Sequence, residues 1–329
     1  MFDSFAPLIA RSLLWIPALG LAIGCLGLNA GCSASRASVL SQSSEQLLRP
    51  TAQGDFFKRL TLGDAAWAKR LDEAQVRVAI KHYSEAVKLP SPRLSAEQRR
   101  VRLAQLWTRL SRAHHLLADG HLWHHAESDT RSSLMLAQYL EGVAAAERAL
   151  VLSAPTFSAR VTENPRGWSQ ALEQIPDEAL PALYWREVNL WKWAQSSGVQ
   201  TILSHESDIR AALKVLRQRA PTFHEGGPDR LDALIHTASP ARAGDPVRSL
   251  AAFDRSIDLS PNFFQTRVLM AHHLATLQNE QRMFEKQLNL VVSTPSNILP
   301  EYEPENTLEQ RKAKALLTQT TTLFYQVPH

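Results

Sequence analysis

From Leu60 onward, apolar residues recur at intervals of three and four, the spacing that puts them on one buried helix face. Val76, Ala79, Ile80, Tyr83 and Val87 share one such face, and Leu103, Leu106, Trp107, Leu110, Ala113 and Leu117 share another. The Pro90-Ser91-Pro92 break between these segments predicts an antiparallel helix pair, with Gly120 as the stop of its second helix. The same periodicity predicts helices over 180–196, 207–219, 266–279, 282–293 and 307–324. No run of alternating apolar and polar residues is long enough for a strand, so the predicted class is all-α.

Three helix ends share one grammar: YSEAVKLPSP ending at Pro92, ERALVLSAP ending at Pro155, and FDRSIDLSP ending at Pro261. Each sets a small residue (Ala86, Ala149 or Ser256) near the helix end, an aliphatic residue three positions on, and a proline just beyond. That is the close of a tetratricopeptide (TPR) helix pair, where the small residue lets helices approach and proline ends the second one. A strict 34-residue period is missing, so the pattern reads as a degenerate TPR-like array of antiparallel helix pairs.

Charge changes the picture little. The 36 Lys+Arg against 32 Asp+Glu give +4 without any block of like charge, which argues against nucleic acid as a partner. The amino terminus matters more. After Arg11, an apolar run from Leu13 to Leu28 is short of the roughly 20 residues of a membrane span and fits a signal peptide. Both cysteines, Cys25 and Cys32, lie in or just after it, each behind a glycine. Their setting resembles the lipobox of bacterial lipoproteins, with Cys32 favoured by the polar Ser33-Ala34-Ser35 that follows and Cys25 as the alternative. A plain cleaved signal or an uncleaved anchor stays open. The expected organisation is a lipoprotein-type signal over 1–31, a tether and disordered linker over 32–59, and a TPR-like helical domain over 60–329. Beyond Cys32 there is no cysteine, which excludes disulfides and cysteine-bound zinc from the body.

Several clusters are candidates for chemistry. His114, His115, His121, His124 and His125 crowd one stretch near Asp119 and Asp129. His121 and His125, four apart, are either two ligands of a zinc site or part of a solvated interhelical loop. Tyr184, Trp185, Trp191 and Trp193 either line a concave surface for an apolar ligand, with His205 beyond, or fill gaps between helices, Trp193 being the one expected to face outward. In Gly226-Gly227-Pro228-Asp229-Arg230 the glycines permit a tight loop, and Arg230 either binds a carboxylate or pairs with Glu225, Asp229 or Asp232. The acidic PEYEPEN at 300–306 reads as an exposed turn capping the last helix through Asn306 and Glu309. No nucleophile elbow, His-Glu-x-x-His or nucleotide loop is present, so neither catalysis nor a cofactor is expected.

Five pieces in order carry a family resemblance: ALYWREVNLWKWA at 182–194, FHEGGPDRLDALIHTASP at 223–240, FDRSIDLSPNFFQTRVLMAHHLA at 253–275, MFEKQLNLVV at 283–292 and LPEYEPENTLEQRKAKALL at 299–317. The stretch from Leu180 to Phe324 resembles the TatT family, T-component lipoproteins associated with tripartite ATP-independent periplasmic (TRAP) transporters. The His-rich segment lies outside these pieces. The resemblance implies a non-enzymatic, lipid-anchored, periplasm-facing TPR-like protein on a bacterial membrane, the outer membrane being favoured. It also implies a periplasmic solute-binding protein as partner, an apolar or organic-acid ligand, and homo-oligomers, trimers among them. The alternatives are a general TPR scaffold lipoprotein in envelope assembly and a His-dependent metalloenzyme.

Overall fold

Short polar side chains set the starts of the first five helices. Ser43, Asp55, Asp72 and Ser95 accept backbone N–H bonds ahead of α1 (Ser44–Leu48), α2 (Phe56–Trp67), α3 (Glu73–Ala86) and α4 (Ala96–His115). Ser128 caps the long α5 (Asp129–Ser153), and Pro155 opens α6 (Pro155–Glu163) at a position where its missing N–H costs nothing. Then follow α7 (Trp168–Leu172), α8 (Leu180–Ser197), α9 (Val199–Arg219), α10 (Phe223–Ala238), α11 (Pro246–Leu259), α12 (Phe264–Leu269), α13 (Gln281–Ser293), α14 (Glu303–Leu317) and α15 (Thr320–Leu323). The computed structural model describes residues 38–238 and 244–324, and no strand occurs among the described residues. The expected signal segment, Cys25 and Cys32 lie outside them.

The protein is all-α. Helix α2 packs on α3, α4 on α5, α5 on α8, α8 on α9, α10 on α11 and α13 on α14. This arrangement is compatible with a TPR-like array. The small residues of the three helix ends, Ala86, Ala149 and Ser256, are fully buried. The largest core unites α5, α8, α9, α10 and α11; a second joins α2, α3 and α4, and a third α12, α13 and α14.

Four expectations are corrected. The chain is ordered well before residue 60: the Ser38 hydroxyl and the Val39 N–H donate to Glu147 at 3.1 and 2.8 Å, and Leu40 is buried. A Ser- and Gln-rich stretch packs because Leu40 and Leu47 reach the core and because Glu147, itself fully buried, needs donors. Gly120 does not stop α4. The helix widens into a π-helical turn over Leu116–His121, and the absent Cβ of Gly120 leaves room for Leu308 of α14. The predicted 266–279 helix likewise divides into α12 and a π-helical turn over Met270–Ala275. Finally, α14 starts at Glu303, so Asn306 lies inside it and ties three backbones together, accepting from Phe264 N–H and donating to the Asn262 and Ser296 carbonyls.

Candidate functional site

Val101, Ala104, Gln105, Thr108, Arg109, Arg112 and His115 recur at helical spacing on one side of α4. Along that stripe, about 21 Å at 1.5 Å per residue, lie three spaces, each sharing a lining residue with the next. The outermost is a groove of about 650 Å³ lined by Val101, Thr108 and Arg109. Next is a recess of about 320 Å³ between Trp67, Tyr83, Arg109 and Arg112. The innermost is a cavity of about 30 Å³, bounded by Arg112, His115, Trp185, His224, Phe263 and Glu309. Arg109 borders the first two spaces and Arg112 the last two.

The aromatic wall depends on a strained turn at the head of α10. His224 and Glu225 take the left-handed backbone conformation (φ 48° and 56°), followed by Gly226 at 72°. Two non-glycine residues there cost about 1 kcal/mol or more each. The buried Arg230 holds the turn, donating to the His224 carbonyl at 2.8 Å, the Glu225 carbonyl at 2.9 Å and the Thr266 hydroxyl at 3.2 Å, with its guanidinium 4.7 Å over Phe263. Gly227 is needed because a Cβ there would stand 2.6 Å from the Tyr184 hydroxyl. The turn sets the His224 ring 4.7 Å from Trp185, 5.2 Å from Phe263 and 5.6 Å from Tyr302.

The polar wall grows from the π-helical turn after α4. Asp119 on that turn receives Lys192 of α8 at 2.8 Å and Lys312 of α14 at 3.0 Å. The Tyr139 hydroxyl and the Gln265 amide donate to it as well, each at 3.3 Å. Burial alone would raise its pKa, but the two ammonium groups hold the carboxyl well below its ordinary range. Lys312 also donates to Glu309 Oε1 at 2.8 Å, while Oε2 of this buried carboxyl has no partner. Burial pushes Glu309 upward against the pull of Lys312. His115, hydrogen-bonded through Nδ1 to Asn189 at 3.1 Å, is pushed down by burial to about 4. Burial also holds His224 well below the usual imidazole value, helped by Arg230 and Arg112. Both rings are therefore neutral at neutral pH.

Arg112 is the residue that recess and cavity share, and it marks the neck between them. It donates to Glu305 at 2.9 Å, with its guanidinium 5.4 Å from both the Trp67 and the Tyr302 rings. Arg70 holds the same Glu305 through two bonds of 2.9 Å, one to each oxygen. The cavity of about 30 Å³ admits only water-sized groups, so an amphipathic molecule would need the recess of about 320 Å³ as well, with its tip toward the aromatic rings and neutral imidazoles.

The residues singled out in the sequence fall differently. Tyr184, Trp185, Trp191 and Trp193 are all buried, so they build core instead of an exposed surface; Trp193, expected to face outward, lies 5.7 Å from the His205 ring. Of the four, Trp185 borders the cavity. Gly226, Gly227 and Arg230 are buried and shape the turn behind the His224 ring. Arg230 bonds carbonyls, while Asp229 and Asp232 pair with Arg217 and Arg255. The His-rich stretch is no solvated loop at its start, where His115 and His121 are buried. His121 bonds the Arg70 carbonyl at 3.0 Å and His125 bonds Glu73 at 2.8 Å. Among the described residues no group of three or more His, Cys, Asp or Glu is placed to hold a metal ion. Sequence reasoning missed Arg112, Lys192, His224 and Lys312, and named Asp119 only beside the histidines and Glu309 only as a cap; a lysine between two tryptophans on an apolar helix was the available signal for Lys192.

No curated protein matches the chain. The family model for the TRAP transporter T-component matches residues 112–324, well over half of the chain. The match begins at Arg112, takes in the His-rich stretch left out of the sequence resemblance, and spans the π-helical turn, α8, α10 and α14, which together form the cavity. The chain thus belongs to the TAtT family and is a T-component of TRAP transporters.

Proposed function

We propose that this T-component acts by binding and not by catalysis: it faces the periplasm, engages the solute-binding protein of its TRAP system and holds an apolar or organic-acid ligand in the recess and inner cavity. One observation carries the reading. One stripe of α4 lines an open groove, a recess and a cavity walled by aromatic rings and neutral imidazoles. The groove is where the partner abuts, and the recess together with the cavity is where ligand rests. Attachment comes from acyl chains on Cys32, or on Cys25, after removal of a signal segment, with the outer membrane as the site and a homotrimer as the assembly. No helix among the described residues is long and apolar enough to cross a membrane.

Purification of the intact protein from native envelopes, with mass spectrometry of what accompanies it, tests this. The expected result is enrichment of a TRAP-type solute-binding protein over that seen with an unrelated lipoprotein. Recovery of envelope-assembly factors alone would replace this reading with that of a scaffold.

A further inference from the structure

We propose that Arg112 is an anion-exchanging gate: it closes the inner cavity while paired with Glu305, and opens it by transferring its guanidinium to the anionic group of an entering amphiphile. The inference rests on the ligand reading above and adds how the site is closed and which ligands it admits.

Three observations carry it. The first is position, since Arg112 borders both the recess and the inner cavity and stands between the Trp67 and Tyr302 rings, so its side chain is the partition. The second is replaceability. A buried carboxylate resists losing a partner because an uncompensated charge remains. Glu305 is spared this loss, because Arg70 Nε holds one of its oxygens and Arg70 Nη2 the other, both at 2.9 Å, and the Glu301 carbonyl anchors the same Arg70 at 2.6 Å. Arg112 is the third and dispensable donor, so it can leave without stranding Glu305. The third is what lies behind it: the unpartnered Oε2 of the buried Glu309 borders the cavity, and Trp185, Phe263 and Leu308 supply an apolar surface.

The charge balance selects the ligand. Arg230, buried beneath the aromatic wall, has carbonyl and hydroxyl partners but no carboxylate among the described residues. Asp119 is saturated by two lysines. The pull on an entering anion therefore comes from Arg112 itself, whose planar fork matches a carboxylate in two-point contact. The closed cavity of about 30 Å³ holds only water-sized groups, so a ligand with an anionic end and an apolar body enters only into the space that the Arg112 side chain vacates, the anion on Arg112 and the body against Trp185 and Phe263.

Benzoate and its neutral isostere benzamide are suitable probes, titrated calorimetrically into the full-length protein. Wild type is expected to bind benzoate about tenfold more tightly than benzamide, the discrimination of one charge-assisted pair. Arg112→Gln should erase that preference while Arg109→Gln, which alters the groove and the recess but not the cavity, keeps it. Equal affinities in wild type, no binding of either probe, or a preference that survives in Arg112→Gln would overturn the gate. Should Arg112→Gln fail to fold, arginine side-chain NMR of the wild type decides. Benzoate is expected to shift the Arg112 signal and leave that of Arg70 in place; the reverse, or no shift, refutes the exchange. Partner recovery is scored on the same preparations. Loss of the benzoate preference with the solute-binding protein still captured refutes the gate alone, and the opposite pattern refutes the transporter reading alone.

Discussion

Replacing Asp119 with alanine is expected to lower the unfolding free energy by about 3–5 kcal/mol, the cost of breaking a buried ion pair by removing one partner. Its carboxylate is the common acceptor of Lys192, Lys312, Tyr139 and Gln265, which arrive from α8, α14, α5 and α12. Without it, Lys192 loses its ion-pair partner among the described residues, and Lys312 retains Glu309. Asp119→Asn keeps an acceptor of similar shape but removes the charge, so it should fall between wild type and alanine. Urea unfolding of the three proteins measures the series. An alanine variant within about 1 kcal/mol of wild type, the scale of an exposed pair, would show that the cluster is solvated and does not hold the helices together.

Glu187 should make stability fall as pH rises, the reverse of the usual carboxylate behaviour. Its side chain is fully buried on α8, Oε1 accepts from Arg186 at 2.7 Å, and Oε2 has no partner. Burial pushes its pKa from the ordinary 4.5 up to about 7, although Arg186 pulls the other way. Between those two values the folded state binds more protons than the unfolded state, so the unfolding free energy decreases with pH across that window and is level above it. A shift of that size corresponds to about 3 kcal/mol. Buried neutral histidines such as His115 and His224 act oppositely, losing stability as pH falls below 6.5. The clean observable is therefore the difference between Glu187→Gln and wild type. The variant should gain relative stability steadily from about pH 5 to pH 7 and keep it above. A pH-independent difference would place the titration elsewhere.

The segment from Ser38, bound to Glu147 beside the Arg186–Glu187 pair, shows why the sequence was only partly legible. Helix faces could be read directly: α8 and α13 fall within a residue or so of their predicted spans, because an apolar stripe at 3.6-residue spacing has one low-energy reading. The three small residues at helix ends were legible for the same reason, since only Ala or Ser fits where helices touch. Residues 38–48 were not. Ser- and Gln-rich composition predicts a solvated linker, but Leu40 and the donors of Ser38 and Val39 find partners more than 100 residues away on α5. The candidate site was hidden more deeply. Asp119, Glu305, Glu309 and Lys312 look like ordinary solvated positions, and their burial follows from α14 crossing the π-helical turn at Gly120. Four aromatics on α8 drew attention as a binding surface, but only Trp185 reaches the cavity, because position around a helix depends on which neighbours surround it. Of the glycine-rich segment, the need for glycine was apparent and its purpose was not: Gly227 clears Tyr184 so that His224 can face the cavity.

The most direct measurement is photo-crosslinking in living cells from residue 101, where the exposed Val101 borders the outer groove, with the exposed Leu134 of α5 as the control position. A crosslink from position 101 to a TRAP solute-binding protein, with none from position 134, is the expected result. A crosslink to that protein from position 134 alone, or products from position 101 containing only envelope-assembly proteins, would contradict the groove as the partner's docking site.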